Sequence, residues 1–138
     1  MAQALILDAE ALNALARAPE RSVLADRARA ILRVAYEEGA LVRVPAPVLA
    51  EVCRGGPVDA PVNRVLSGRG ITVVDLTASS ARRAGALLAR AKLGSAHAVD
   101  AFVVATALEF GTAVIATGDP DDIGRLSAGL RQLRVFRI

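Results

Sequence analysis

One cysteine, one lysine, one histidine, one tyrosine and no tryptophan occur among 138 residues, and each shortage removes a class of explanation. Cys53 alone makes no intrachain disulfide and no cysteine metal cluster; it reads most simply as a small buried hydrophobe. The lone His97 does not supply the histidines that metal-independent ribonuclease chemistry usually employs. Lys92 falls at a helix end, so the lysine that a receiver domain places after its last strand or so is missing. Neither Gly-x-Gly-x-x-Gly nor Gly-x-x-x-x-Gly-Lys-Ser/Thr occurs, which argues against dinucleotide and P-loop binding. No apolar run reaches the roughly 18 residues of a spanning helix. The N-terminus lacks a basic region followed by an apolar segment and a cleavage site. The expectation is a cytoplasmic protein with no membrane partner. Without repeats, low-complexity tracts or linkers, residues 1–138 read as one domain.

What is present is aliphatic residues, arginine and a few conspicuous acids. The chain is 54% hydrophobic but 3% aromatic, so its core is built from Ala, Val, Leu and Ile. Sixteen of its 17 basic residues are arginines, and the formal net charge is +3. Arginine's planar fork suits phosphate and carboxylate recognition, although most of these side chains individually fit solvated helix faces. A basic exterior around an acidic pocket would suit a polyanionic substrate.

Four acids interrupt apolar stretches. Asp8 follows Ala4-Leu5-Ile6-Leu7, and Glu51 lies inside Pro47-Val48-Leu49-Ala50-Glu51-Val52-Cys53. Asp100 breaks the run from Ala96 to Val104, and Asp119 follows Ala113-Val114-Ile115-Ala116-Thr117-Gly118. A buried, unpaired carboxylate is costly and normally neutralises or finds a partner. If the fold gathers all four, a divalent cation is the natural counter-charge.

Strands over 4–7, 41–44, 71–74, 113–116 and 133–137 alternate with helices. The helices read as 9–17, 22–38 capped by Ser22, one carrying Glu51 and ending at Gly55-Gly56, and one over 60–67. Further along come a helix capped by Thr77 running to about Ala91 and ending near Gly94, one capped by Ser95 and carrying Asp100, and a short one over 121–128. Apolar strands without polar alternation predict a mainly parallel sheet covered on both faces. The functional crevice of such a sheet lies beyond its carboxyl ends, where Asp8 and Asp119 stand.

Each acid also has a plainer reading. Asp8 and Asp119 fit helix caps, with Asp122 as a better cap than Asp119 and Asp121 as a first-turn charge. Glu51 and Asp100 fit ion pairs with arginine. Asp75 fits a loop or cap. His97 shares a helical face with Asp100 and reads either as a structural histidine or as a substrate contact.

The ordered set Leu5-Ile6-Leu7-Asp8, Pro47-Val48-Leu49-Ala50-Glu51-Val52, Ala98-Val99-Asp100 through Leu108, and Val114-Ile115-Ala116-Thr117-Gly118-Asp119 resembles a PIN domain, in particular the VapC-type toxins of toxin–antitoxin pairs. The resemblance implies an α/β, PIN-like three-layer sandwich with a central, mainly parallel sheet of about five short strands flanked by helices. It also implies a Mg2+- or Mn2+-dependent endoribonuclease that hydrolyses RNA to 5′-phosphate and 3′-hydroxyl ends. The partners it implies are RNA, a cognate antitoxin protein and a second copy in a homodimer, with helix 22–38 offering Val23, Leu24, Ile31, Leu32 and Tyr36. The catalytic acids map onto Asp8, Glu51, Asp100 and Asp119, with Asp8, Asp100 and Asp119 on the metal and Glu51 acting through water. Thr117 and His97 are the substrate-contact candidates. Glu10 departs from the pattern, because a small polar residue commonly stands two positions after the first acid. A non-catalytic PIN-like module that binds RNA or a partner is the alternative.

Overall fold

The computed structural model describes residues 2–19, 21–68 and 70–138. Its strands are β1 (Ala4–Leu7), β2 (Leu41–Pro45), β3 (Ile71–Val74), β4 (Ala113–Thr117) and β5 (Leu133–Arg137). All pair in parallel, in the order β3-β2-β1-β4-β5. The expected strands all form, β2 and β4 one residue longer than read. The central pair β1 and β4 is buried along its whole length, as an apolar run covered on both faces should be. The edge strands instead expose Thr72, Arg134 and Arg137.

The helices are α1 (Ala9–Ala16), α2 (Val23–Glu37), α3 (Val48–Val52), α4 (Ala60–Leu66), α5 (Ala78–Ala91), α6 (Ala98–Leu108) and α7 (Pro120–Leu126), with 3-10 turns at Gly56–Asp59 and Ser95–His97. Helix α1 packs with α2, α3 and α4, while α5, α6 and α7 pack on one another. With the sheet they make the expected three-layer α/β sandwich. Helix α6 buries Ala101, Val103, Val104, Ala105, Thr106 and Ala107, while its first turn, with Asp100, and Phe102 and Leu108 are half-buried. Among the described residues, no helix is long and apolar enough to cross a membrane.

Local chemistry sets most boundaries. The Ser22 hydroxyl accepts from the Ala25 N–H at 2.9 Å, and the Thr77 hydroxyl from the Ser80 N–H at 3.1 Å, the cap geometry their position predicts. Gly39 follows α2 with φ of 72°, a conformation glycine adopts without the Cβ penalty.

Three expectations need correction. Helix α5 ends at Ala91 as expected, but it is closed by Lys92, which takes the left-handed conformation (φ 57°), and not by Gly94; the Leu93 N–H then reaches back to the Leu88 carbonyl at 2.9 Å. Ser95 opens a 3-10 turn, and α6 begins behind His97 without a side-chain cap. Asp119, not Asp122, caps α7, accepting from the Asp122 N–H at 3.4 Å.

The chain runs from β1 to β2 and β3 on one side of the sheet, then crosses to β4 and β5 on the other. The order therefore reverses between β1 and β4. Beyond their carboxyl ends lies the switch-point crevice of an open parallel sheet.

Candidate active site

Asp8 leaves β1 beside β4, its N–H bonded to the Ala116 carbonyl at 3.2 Å. Its side chain is 5% exposed and caps α1, accepting from the Ala11 N–H at 2.9 Å. The Thr117 hydroxyl and the Gly118 N–H also donate to it. Burial nevertheless raises the Asp8 pKa above the usual carboxylate value, the hydrogen bonds from Thr117 and Ala11 opposing it and the Glu10 charge adding to it.

Asp8, Glu51, Asp100 and Asp119 line one cavity of about 160 Å³, together with Ala9, Glu10, Val99 and Val103. The crevice thus gathers all four sequence-predicted acids. Burial pushes the Asp100 pKa to about 6, helped by the charges of Asp119, Asp8, Asp122 and Glu51 in that order. Capping and pocket lining coexist in Asp8 and Asp119, because a cap engages one of a carboxylate's several acceptor positions.

Thr117 is fully buried. Its hydroxyl oxygen accepts the Asp119 N–H at 2.8 Å while its proton serves Asp8. Thr117, expected as a substrate contact, thus joins two of the acids through one hydroxyl. His97 lies outside the cavity lining, with Nδ1 at 3.2 Å from an Asp122 oxygen. Ligand atoms of His97, Asp100 and Asp122 all lie within 4.8 Å of one another, the one such group among the described residues. Asp121 and Asp75 are exposed and take no part in the lining.

Two features escaped the sequence reading. Asp122 faces Asp100 and His97 instead of capping α7. Glu10 lies over Gly118, and a Cβ built at Gly118 would collide with its carboxylate and Cβ. The Gly118 backbone is outside the left-handed region, so the glycine supplies space and not a turn. A glycine beside the last acid, set against a long acid in place of the customary small residue, was the available signal.

The donor set fits a hard divalent cation. Five carboxylates and no basic side chain line the cavity, and oxygen donors of this kind suit Mg2+ or Mn2+. Asp8, Asp100 and Asp119 all line the cavity, with Glu10 and Glu51.

The crevice at the β1–β4 switch point, floored by acids from two strand ends and walled by α3 and α6, defines a class of acidic α/β domain. A PIN domain match spans residues 5–128, and the chain belongs to the PIN domain family. No curated protein matches it. A chain in the crystal structure of VapBC2 from Rickettsia felis bound to a DNA fragment from their promoter is similar, with a TM-score of 0.66 and 16% identity across 97% of this chain and 98% of that one. At that identity the likeness is one of fold.

Proposed function

We propose that this protein is a Mg2+- or Mn2+-dependent endoribonuclease, the VapC-type toxin of a toxin–antitoxin pair, acting in the cytoplasm. The observation that carries the reading is a cavity lined by five carboxylates without a basic side chain, in a PIN domain. Asp8, Asp100 and Asp119 would hold the cation, which when bound supplies charge neutralisation at the scissile phosphate and a lowered pKa for the attacking water. Glu51 is exposed and orients and deprotonates that water. Thr117 keeps Asp8 and Asp119 in register. His97, oriented by Asp122, contacts the RNA at the rim. The products are a 5′-phosphate and a 3′-hydroxyl.

The partner surface is read from α2. Val23 is 63% exposed, and Leu24 and Tyr36 are each 45% exposed, whereas Ile31 belongs to the core. These exposed side chains suit contact with an antitoxin or a second copy of the chain.

Cleavage of a structured RNA panel by the partner-free protein tests the reading. Expected is cleavage with Mg2+ or Mn2+, abolished by EDTA and reduced at least about 100-fold in Asp8→Asn and in Asp100→Asn. Cleavage that survives chelation and both substitutions would sink the mechanism. A folded protein that binds Mn2+ but cuts none of the panel favours the non-catalytic binding module.

A further inference from the structure

Glu51 reaches the acid cavity from a helix of five residues. Among the described residues, no hydrogen bond or ion pair holds its carboxylate, and helix α3 has no side-chain cap at its start. The place of Glu51 is therefore inherited from the α3 backbone. An isolated helix this short has no stability of its own; Val48 and Val52 seat its inner face in the core, and a further grip holds its C-terminal end.

The grip comes from α1. Arg17, the residue after α1, donates from Nη1 to the Val52 carbonyl at 2.7 Å and to the Asn13 side-chain oxygen at 2.9 Å. Its Nη2 donates to the Val58 carbonyl at 2.9 Å and lies 3.7 Å from Asp59. Asp59 in turn accepts the Arg54 and Gly55 N–H groups, each at 2.8 Å, closing the loop that follows α3. One guanidinium thus joins the end of α1 to the residue after Glu51. The other end of α1 is capped by Asp8. A single helix fixes both acids, one through its N-cap and the other through this clamp.

We propose that Arg17 is a positioning residue for catalysis, setting the place of Glu51 against Asp8 through the Val52 carbonyl. The inference rests on the nuclease reading above and names a residue outside the acid cluster that the reading requires. Lysine keeps the charge but not the fork that serves separate acceptors at once.

A double-substitution cycle tests it, with cleavage kinetics in Mn2+ and thermal midpoints measured for wild type, Arg17→Gln, Arg17→Lys, Glu51→Gln and Arg17→Gln/Glu51→Gln. Arg17→Gln should lower kcat about 10-fold with KM changed less than about 2-fold, and Arg17→Lys should fall between it and wild type. In the Glu51→Gln background the same change should alter kcat less than about 2-fold, while its drop in thermal midpoint persists. A merely structural role would lower kcat equally in both backgrounds, and that result overturns the proposal. So does a full kcat in folded Arg17→Gln; if that variant fails to fold, a full kcat in Arg17→Lys does the same. Wild-type protein that neither binds Mn2+ nor cuts RNA overturns the nuclease reading and this inference together. Wild-type cleavage that Glu51→Gln leaves intact removes Glu51 from the mechanism, and Arg17 with it, while the metal-dependent reaction stands.

Discussion

A methyl group at position 118 would meet the Glu10 carboxylate, so the two residues are coupled by volume. Gly118→Ala should destabilise the protein by about 1–3 kcal/mol, the usual cost of overpacking. In a Glu10→Ala background most of that penalty should vanish, as chemical denaturation of the four variants would measure. Equal penalties in both backgrounds would show that the collision is not what Gly118 avoids. Asp100 gives the opposite kind of prediction. Its carboxylate is held near pKa 6 by burial and by neighbouring acids, so ionising it opposes folding of the metal-free chain. A raised carboxylate contributes stability in its protonated form. That contribution is full below the unfolded value of 3.8 and is lost as pH rises through about 6. Asp100→Asn should therefore stabilise the metal-free protein at pH 7, by on the order of 1 kcal/mol once solvent screening of a half-exposed group is allowed for. The thermal midpoint should rise by about 3–5 °C even as cleavage is lost. A midpoint that falls would mean that Asp100 has a partner in the folded state.

Elements are held to one another by arginines reaching across helix ends. The Arg90 guanidinium, in the last turn of α5, donates to the Leu126 carbonyl at 2.8 Å, and Arg125, in the last turn of α7, donates to the Ala91 carbonyl at 3.1 Å. Each helix thus has its terminal carbonyls satisfied by the other, where a cation also complements the dipole. Arg90→Ala and Arg125→Ala should each cost about 1–2 kcal/mol. Their joint loss should depart from additivity by at least about 0.5 kcal/mol, measured by denaturant midpoints. Elements of this fold were legible because the apolar runs of β1 and β4 admit no other covering, and because Ser22 and Thr77 announce helix starts by chemistry. Ser95 bears the same signal and fails as a cap, since the chain needs a 3-10 turn there before α6 can enter the core. The arginine exchange was not legible: it joins residues 36 and 34 apart, and sequence does not reveal which carbonyl a long side chain will meet.

For the whole molecule, five carboxylates around one cavity mean that a divalent cation should stabilise the fold as well as the chemistry. Mg2+ or Mn2+ at about 100 times its dissociation constant should add roughly 2.7 kcal/mol by mass action. The thermal midpoint of wild type should climb with metal, and that of Asp100→Asn much less. A midpoint indifferent to both ions would argue against a resident cation. Convergence of the acids was readable because Asp8 and Asp119 end neighbouring parallel strands, where the crevice of such a sheet lies. The reading of Asp122 as a cap differed from the structure because its partner, His97, meets it only once α6 and α7 are assembled; the Thr117 bonds to Asp8 and Asp119 likewise form only once β1 and β4 are paired.

The sheet ends at β5, whose exposed residues include Arg134 and Arg137. If two copies joined these strands antiparallel, centred on Val135 and Phe136, Arg134 of each would stand across from Arg137 of the other. Like charges set opposite one another weaken such a ladder. In that register the edge therefore disfavours pairing of two copies through β5.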